Sequence, residues 1–153
     1  MKMRFVWVGK TRDHRIKDLE GDYLSRVQHY FDCDVALARP SQSGSDAERL
    51  TREGEEIRAK LRPSTYTIAL DPAGTELDSS DFARMLGTLV DRSAREITFI
   101  VGGPLGIDRA LLQSVDRRLS LSRMTFPHEL CRVLLLEQVY RACSMRSGAP
   151  YHK

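Results

Sequence analysis

A chain of 153 residues fits one domain with one substantial core. Hydrophobic residues make up 41% and charged residues 29%, an ordinary globular balance, and no apolar run approaches the ~20 residues of a membrane span. The net charge of +3 names no nucleic-acid partner by itself, and three cysteines without ligand spacing point to reduced thiols rather than to a metal site.

In chain order, Met3 to Val8 reads as a buried first strand that stops at Gly9; its apolar part is far too short for a signal peptide, so the cytosol is the expected compartment. A basic loop from Lys10 to Arg15 follows. Ile16, Leu19, Tyr23, Leu24, Val27 and Phe31 recur at helical spacing, and Val35 to Ala38 is a short second strand. Pro40 to Asp46 makes an exposed loop, and Ala47 to Leu61 an outer helix with a narrow apolar stripe. A third strand, Tyr66 to Leu70, runs into Asp71-Pro72-Ala73-Gly74, a turn-forming sequence. Ser79 or Ser80 caps a helix bearing Phe82, Met85, Leu86, Leu89 and Val90.

Ile97 to Val101 is an uncharged β-branched and aromatic run, the pattern of a strand covered on both faces and placed near the sheet centre. Gly102, Gly103 and Gly106 interrupt it, and Asp108 is a plausible N-cap for Ala110, Leu111, Leu112 and Val115. This strand, glycine loop and helix form the layout of a nucleotide site, yet no lysine is set for a phosphate and Val101 stands where the dinucleotide fingerprint needs glycine. Ser120 to Phe126 reads as a short strand flanked by loop, ending at Pro127. The last helix, from about Glu129 to Arg146, carries Val133 to Leu136 around too much of its circumference for one buried face, which calls for a second covering surface. Cys131 and Cys143, roughly 18 Å apart along it, cannot pair with each other. Gly148 closes the helix.

Strands alternating with helices imply a parallel, doubly wound α/β domain. Its ligand crevice would collect the strand ends at Leu70, at Gly102 and around Leu121 to Phe126. Charge is unevenly spread: Lys2, Arg4, Lys10, Arg12, Arg15 and Lys17 face only Asp13 in the first segment, and the C-terminal third adds Arg117, Arg118, Arg123, Arg132, Arg141, Arg146 and Lys153. Brought together, two such regions would track phosphates.

Phe-Ile-Val-Gly-Gly-Pro-Leu-Gly (99 to 106), Leu-Ser-Arg-Met-Thr-Phe-Pro-His (121 to 128), Arg-Val-Leu-Leu-Leu-Glu-Gln-Val-Tyr-Arg-Ala (132 to 142) and the terminal Pro-Tyr-His-Lys closely resemble the SPOUT-class ribosomal RNA large subunit methyltransferase H family. The resemblance implies a single SPOUT domain over 1–153 with a trefoil-knotted half at about 66–153, and a homodimer. It implies methyl transfer from S-adenosyl-L-methionine to N3 of a pseudouridine in helix 69 of 23S rRNA. Carried over by position, Leu70, Gly102, Leu121, Ser122, Arg123, Met124, Thr125 and Phe126 would cradle the cofactor. The N3 proton must leave, so a base near neutrality is sought: His152 is set slightly ahead of His128. Arg132 is a candidate anchor for a phosphate or the cofactor carboxylate, or a partner of Glu129 or Glu137. Tyr151 is a candidate to stack on the flipped base. Two other readings stand beside this one: a SPOUT enzyme for another rRNA site or for tRNA, and a non-catalytic ribosome-binding module.

Overall fold

Side-chain alternation along the strands decides what the sheet can cover. The computed structural model describes residues 1–92 and 94–152, the last by its backbone alone. The elements are β1 (Lys2–Val8), α1 (His14–Gln28), β2 (Asp32–Ala38), α2 (Asp46–Arg58), β3 (Tyr66–Glu76), α3 (Ser79–Asp91), β4 (Glu96–Val101), α4 (Arg109–Ser114), β5 (Arg117–Ser120) and α5 (His128–Ser147), with a short 3₁₀ turn at Pro150–His152. The five strands form one parallel sheet in the order β2-β1-β4-β3-β5. β4 takes the central place that its all-apolar pattern predicts, and all six of its residues are buried.

Met3, Phe5 and Trp7 of β1 and Ile97, Phe99 and Val101 of β4 point to one face, where Val27 of α1, Phe82 and Leu86 of α3, and Leu135, Leu136 and Val139 of α5 pack on them. Val6, Val8 and Ile100 point to the other face, under Ile57 of α2 and Leu111 of α4. Period-2 alternation thus divides the helices three against two. Connections that step toward β2 carry their helix on the first face and those that step toward β5 carry it on the second, the constant sense expected of parallel crossovers.

Several boundaries differ from the sequence reading: β2 begins at Asp32 rather than Val35, α2 ends at Arg58 rather than Leu61, and Asp78, not Ser79 or Ser80, caps α3. β3 does not end at Leu70: Leu70 and Thr75 both pair with Leu119, so Asp71 to Gly74 bulges out of a strand that continues to Glu76. The turn chemistry is real but local, with Asp71 Oδ1 accepting the Ala73 N–H at 3.1 Å. Gly74 lies so close to the next strand that a Cβ there would fall 2.7 Å from the backbone of Arg118 and Leu119. The fifth strand covers Arg117–Ser120, and residues 121–127 are loop rather than strand. The basic loop after β1 is shorter than expected, because Asp13 caps α1 by accepting the Arg15 and Ile16 N–H groups.

The wide apolar surface of α5 is largely covered by the chain itself. Val133, Leu135 and Leu136 are buried, since α5 lies between α1 and α3 on the first face. Leu134 alone of the four is half-buried. Gly148 ends the helix in the left-handed conformation, φ 75°.

Candidate active site

The C-terminal ends of β3, β4 and β5 open into a cavity of about 580 Å³. Its floor is the glycine loop after β4. A Cβ on Gly102 would stand 2.4 Å from the Gly106 carbonyl oxygen and 2.8 Å from Ile107 Cγ1, so the loop folds back on itself only because residue 102 has no side chain. The fold-back is closed by the Gly106 N–H donating to Gly103 O at 3.0 Å, with Gly106 at φ 84°. The absent side chain at 102 thus makes room for the loop's own backbone, while Gly102 still lines the cavity.

The opposite wall is the 121–127 segment. Ser120 Oγ donates to Ser122 O at 2.9 Å, and the Met124 N–H donates to Ser122 Oγ at 3.0 Å, which shapes the segment over the sheet edge. Leu70, Gly102, Leu121, Ser122, Met124, Thr125 and Phe126 all line the cavity, joined by Pro72, Ile107 and Leu119, which sequence reading did not single out. Arg123 is exposed and stands outside the lining. Among the lining residues the titratable side chains are Asp71, His128 and Cys131. Among the described residues no lysine or arginine lines it. Its walls are mainly apolar, and the Asp71 carboxylate at its edge is paired with Arg118 at 3.4 Å.

His128 opens α5 and reaches the cavity; burial, then the charge of Arg132, pushes its imidazole below the ordinary value, with Glu129 opposing. A neutral imidazole at neutral pH is able to accept a proton. Cys131 also borders the cavity, but burial raises its thiol, which suits packing rather than nucleophilic attack.

Besides Arg123, two further expected site residues are elsewhere. Arg132 is fully buried and bonds neither a carboxylate of its own helix nor the cavity: Nη1 donates to Thr11 Oγ1 at 2.9 Å and Nη2 to Val8 O at 2.8 Å, with the guanidinium over the Trp7 ring. Glu137, its other expected partner, pairs with Arg141 at 2.7 Å. Tyr151 folds inward, its hydroxyl 3.4 Å from that of Tyr23 and donating to Glu137 Oε1 at 3.2 Å, its ring 4.5 Å from that of Tyr140. The side chain of His152 lies outside the described residues.

A parallel α/β domain with a folded-back glycine loop and an apolar crevice beyond its strands has the layout in which open α/β sheets seat a ligand. Residues 1–152 match the family described as predicted SPOUT methyltransferase. The chain is 38% identical over 98% of its length, and 97% of the relative's, to a ribosomal RNA large subunit methyltransferase H of Solidesulfovibrio magneticus. It is 40% identical, with both chains covered in full, to the same-named protein of Carboxydothermus hydrogenoformans. Its fold is similar to that of a probable methyltransferase from Bordetella pertussis, with a TM-score of 0.59 at 14% identity over 92% of this chain and 95% of that one. The chain therefore belongs to the SPOUT methyltransferase family, in the branch of ribosomal RNA large subunit methyltransferase H. It is a methyltransferase, of a class that generally uses S-adenosylmethionine.

Proposed function

We propose that this chain transfers a methyl group from S-adenosyl-L-methionine to N3 of a pseudouridine in the helix 69 loop of 23S ribosomal RNA. The observation that carries the reading is the largely apolar cavity between the Gly102–Gly106 loop and the 121–127 segment, bordered by His128. The cofactor, when bound, supplies a methyl group on a positive sulfonium. Leu70, Gly102, Leu121, Ser122, Met124, Thr125 and Phe126 would hold it. His128 would accept the N3 proton as the N3–methyl bond forms and the methyl–sulfur bond breaks, the sulfonium leaving as a neutral thioether; burial, which lowers the imidazole's pKa, favours the unprotonated form that this step needs. His152 is the other candidate for this proton.

The same reading includes one domain whose half from about residue 66 is knotted. The path supports it: β4 connects across β3 to β5, and α5 then returns to the face that carries α1 and α3. It also includes a homodimer acting in the cytoplasm, where ribosomes are. A second apolar groove of about 420 Å³, lined by Leu77, Phe82, Leu121, Phe126, Leu134 and Gln138, adjoins the first and offers a seat for the partner. His152 of each chain would then serve the partner's cavity, while Tyr151 packs on Tyr23, Tyr140 and Glu137 of its own chain.

The test is to incubate the protein with methyl-labelled S-adenosylmethionine and ribosomes lacking the modification, then map the labelled nucleotide. Label on N3 of a helix 69 pseudouridine is the expected result. Label elsewhere would redirect the target to another RNA site, and an absence of cofactor binding in calorimetry would make the chain a ribosome-binding module.

A further inference from the structure

The loop between β1 and α1 is held more firmly than its length and exposure require. Gly9 turns it at φ 75°, its N–H donating to Ala38 O at 2.9 Å. Thr11 is buried, and its hydroxyl both accepts from Arg132 and donates to Glu20 Oε2, whose other oxygen accepts the Trp7 Nε1–H at 2.9 Å. Glu129 Oε1 accepts the Arg12 and Asp13 N–H groups at 2.7 and 3.1 Å. Two residues near the start of α5, Glu129 and Arg132, thus clamp a loop more than a hundred positions earlier in the chain. Arg132 does this fully buried, with Nε lacking a hydrogen-bond partner, an arrangement costly for a side chain whose only task is packing.

The clamp has a consequence for charge. With Thr11 drawn inward, its neighbours Lys10 and Arg12 both face solvent, and no salt bridge or side-chain hydrogen bond among the described residues engages either cation. Arg15, by contrast, is paired with Asp13. Glu129, which holds the Arg12 backbone, directly follows His128 on the cavity wall, and exposed Arg123 lies on the segment that forms the cavity's other side. Among the described residues no lysine or arginine lines the cavity, and the 9–13 loop is tied to the helix that borders it through Glu129 and Arg132.

We propose that the 9–13 loop is a preorganised phosphate-contacting arm for the RNA strand that enters the cavity, with Lys10 and Arg12 as the contacting residues and Arg132 as the positioning residue that acts through Thr11. This rests on the RNA-methyltransferase reading above. Holding the arm rigid before binding removes the ordering cost that a free basic loop would incur, and each phosphate contact made on binding releases counterions and adds to the salt dependence.

The test compares wild type, Lys10→Ala/Arg12→Ala and Arg132→Lys with unmodified ribosomes as substrate. The double variant is expected to raise the KM for ribosomes about tenfold with kcat within about twofold. It should also flatten the dependence of log KM on log salt by about 1.5, the scale of two lost phosphate contacts at ~0.7–0.9 each. Arg132→Lys keeps the charge but loses the two-pronged grip, and is expected to raise KM and flatten the salt dependence in the same way. Adding it to the double variant should change KM little further, because no cation remains for it to position. Unchanged KM and salt slope in the double variant overturn the arm, and a full additive effect of Arg132→Lys on top of it overturns the positioning role. Should wild type fail to methylate ribosomes, the functional reading falls separately. The arm is then judged by filter binding of a labelled RNA hairpin: weaker retention of the double variant supports it, and equal retention overturns it.

Discussion

At the scale of single residues, Gly102 and His128 carry the most testable consequences. A methyl group at position 102 would overlap the Gly106 carbonyl, which is backbone and has no rotamer to yield. Gly102→Ala is expected to cost about 1–3 kcal/mol, the range of overpacking, and to abolish cofactor binding by pushing the loop open; denaturant melts and calorimetry measure the two. Retained affinity with unchanged stability would show that the loop has another way to fold. For His128, burial lowers the folded pKa below the unfolded one. The unfolded state therefore binds the proton more readily, and this group's contribution to stability is present above the unfolded value and lost as pH falls through the window beneath it. Nuclear magnetic resonance titration of the ring should give a midpoint below the ordinary ~6.5, and the acid limb of the methylation rate should follow it. A midpoint at or above that value contradicts the buried, base-competent imidazole.

At the scale of elements, α5 joins the site to the core. Its first residues face the cavity and the β1–α1 loop, while Leu135, Leu136 and Val139 anchor it on Phe5 and Phe99 of the sheet. Leu135 is fully buried, so Leu135→Ala should cost about 2–5 kcal/mol in chemical denaturation, with the ligand-lining residues untouched. A loss under ~0.5 kcal/mol, the size of an ordinary surface substitution, would contradict this packing. Cys143, on the same helix, is buried with its thiol pushed up to about 12, and belongs to this core rather than to chemistry. The helix itself, its glycine stop and its apolar content were legible in the sequence. What covers its wide apolar surface was not, because periodicity reports how many sides need burial and not whether α1, α3 or another chain supplies it.

At the scale of the whole molecule, the open question is where Leu134 goes. It is the half-buried member of the α5 cluster and lines the second groove with Leu77, Phe82 and Phe126. If that groove seats the partner, Leu134→Asp should weaken association by at least about 3 kcal/mol, the scale of an unpaired buried charge, and sedimentation should find monomer where wild type is dimer. Methyl transfer should fall with it. A variant that sediments as wild type removes this groove from the interface. The basic segment near residue 10 was legible as charge, and the tertiary structure adds that Glu129 and Arg132 of α5 hold it.

By itself the sequence determined the parallel α/β class, the central place of Ile97 to Val101, the glycine loop and the segments at three strand ends, because alternation, β-branching and turn residues are local properties that any tertiary arrangement must respect. Its motifs also determined the family. Only the tertiary structure decided the surroundings of Arg132, Tyr151 and Gly102. A long polar side chain is assigned by whichever acceptor it meets, and for Arg132 these are Thr11 and Val8, more than a hundred positions away. Tyr151 is drawn to Tyr23 and Glu137 by the same logic. The need for glycine at 102 arises from a carbonyl four residues on that returns to within van der Waals contact only when the loop closes.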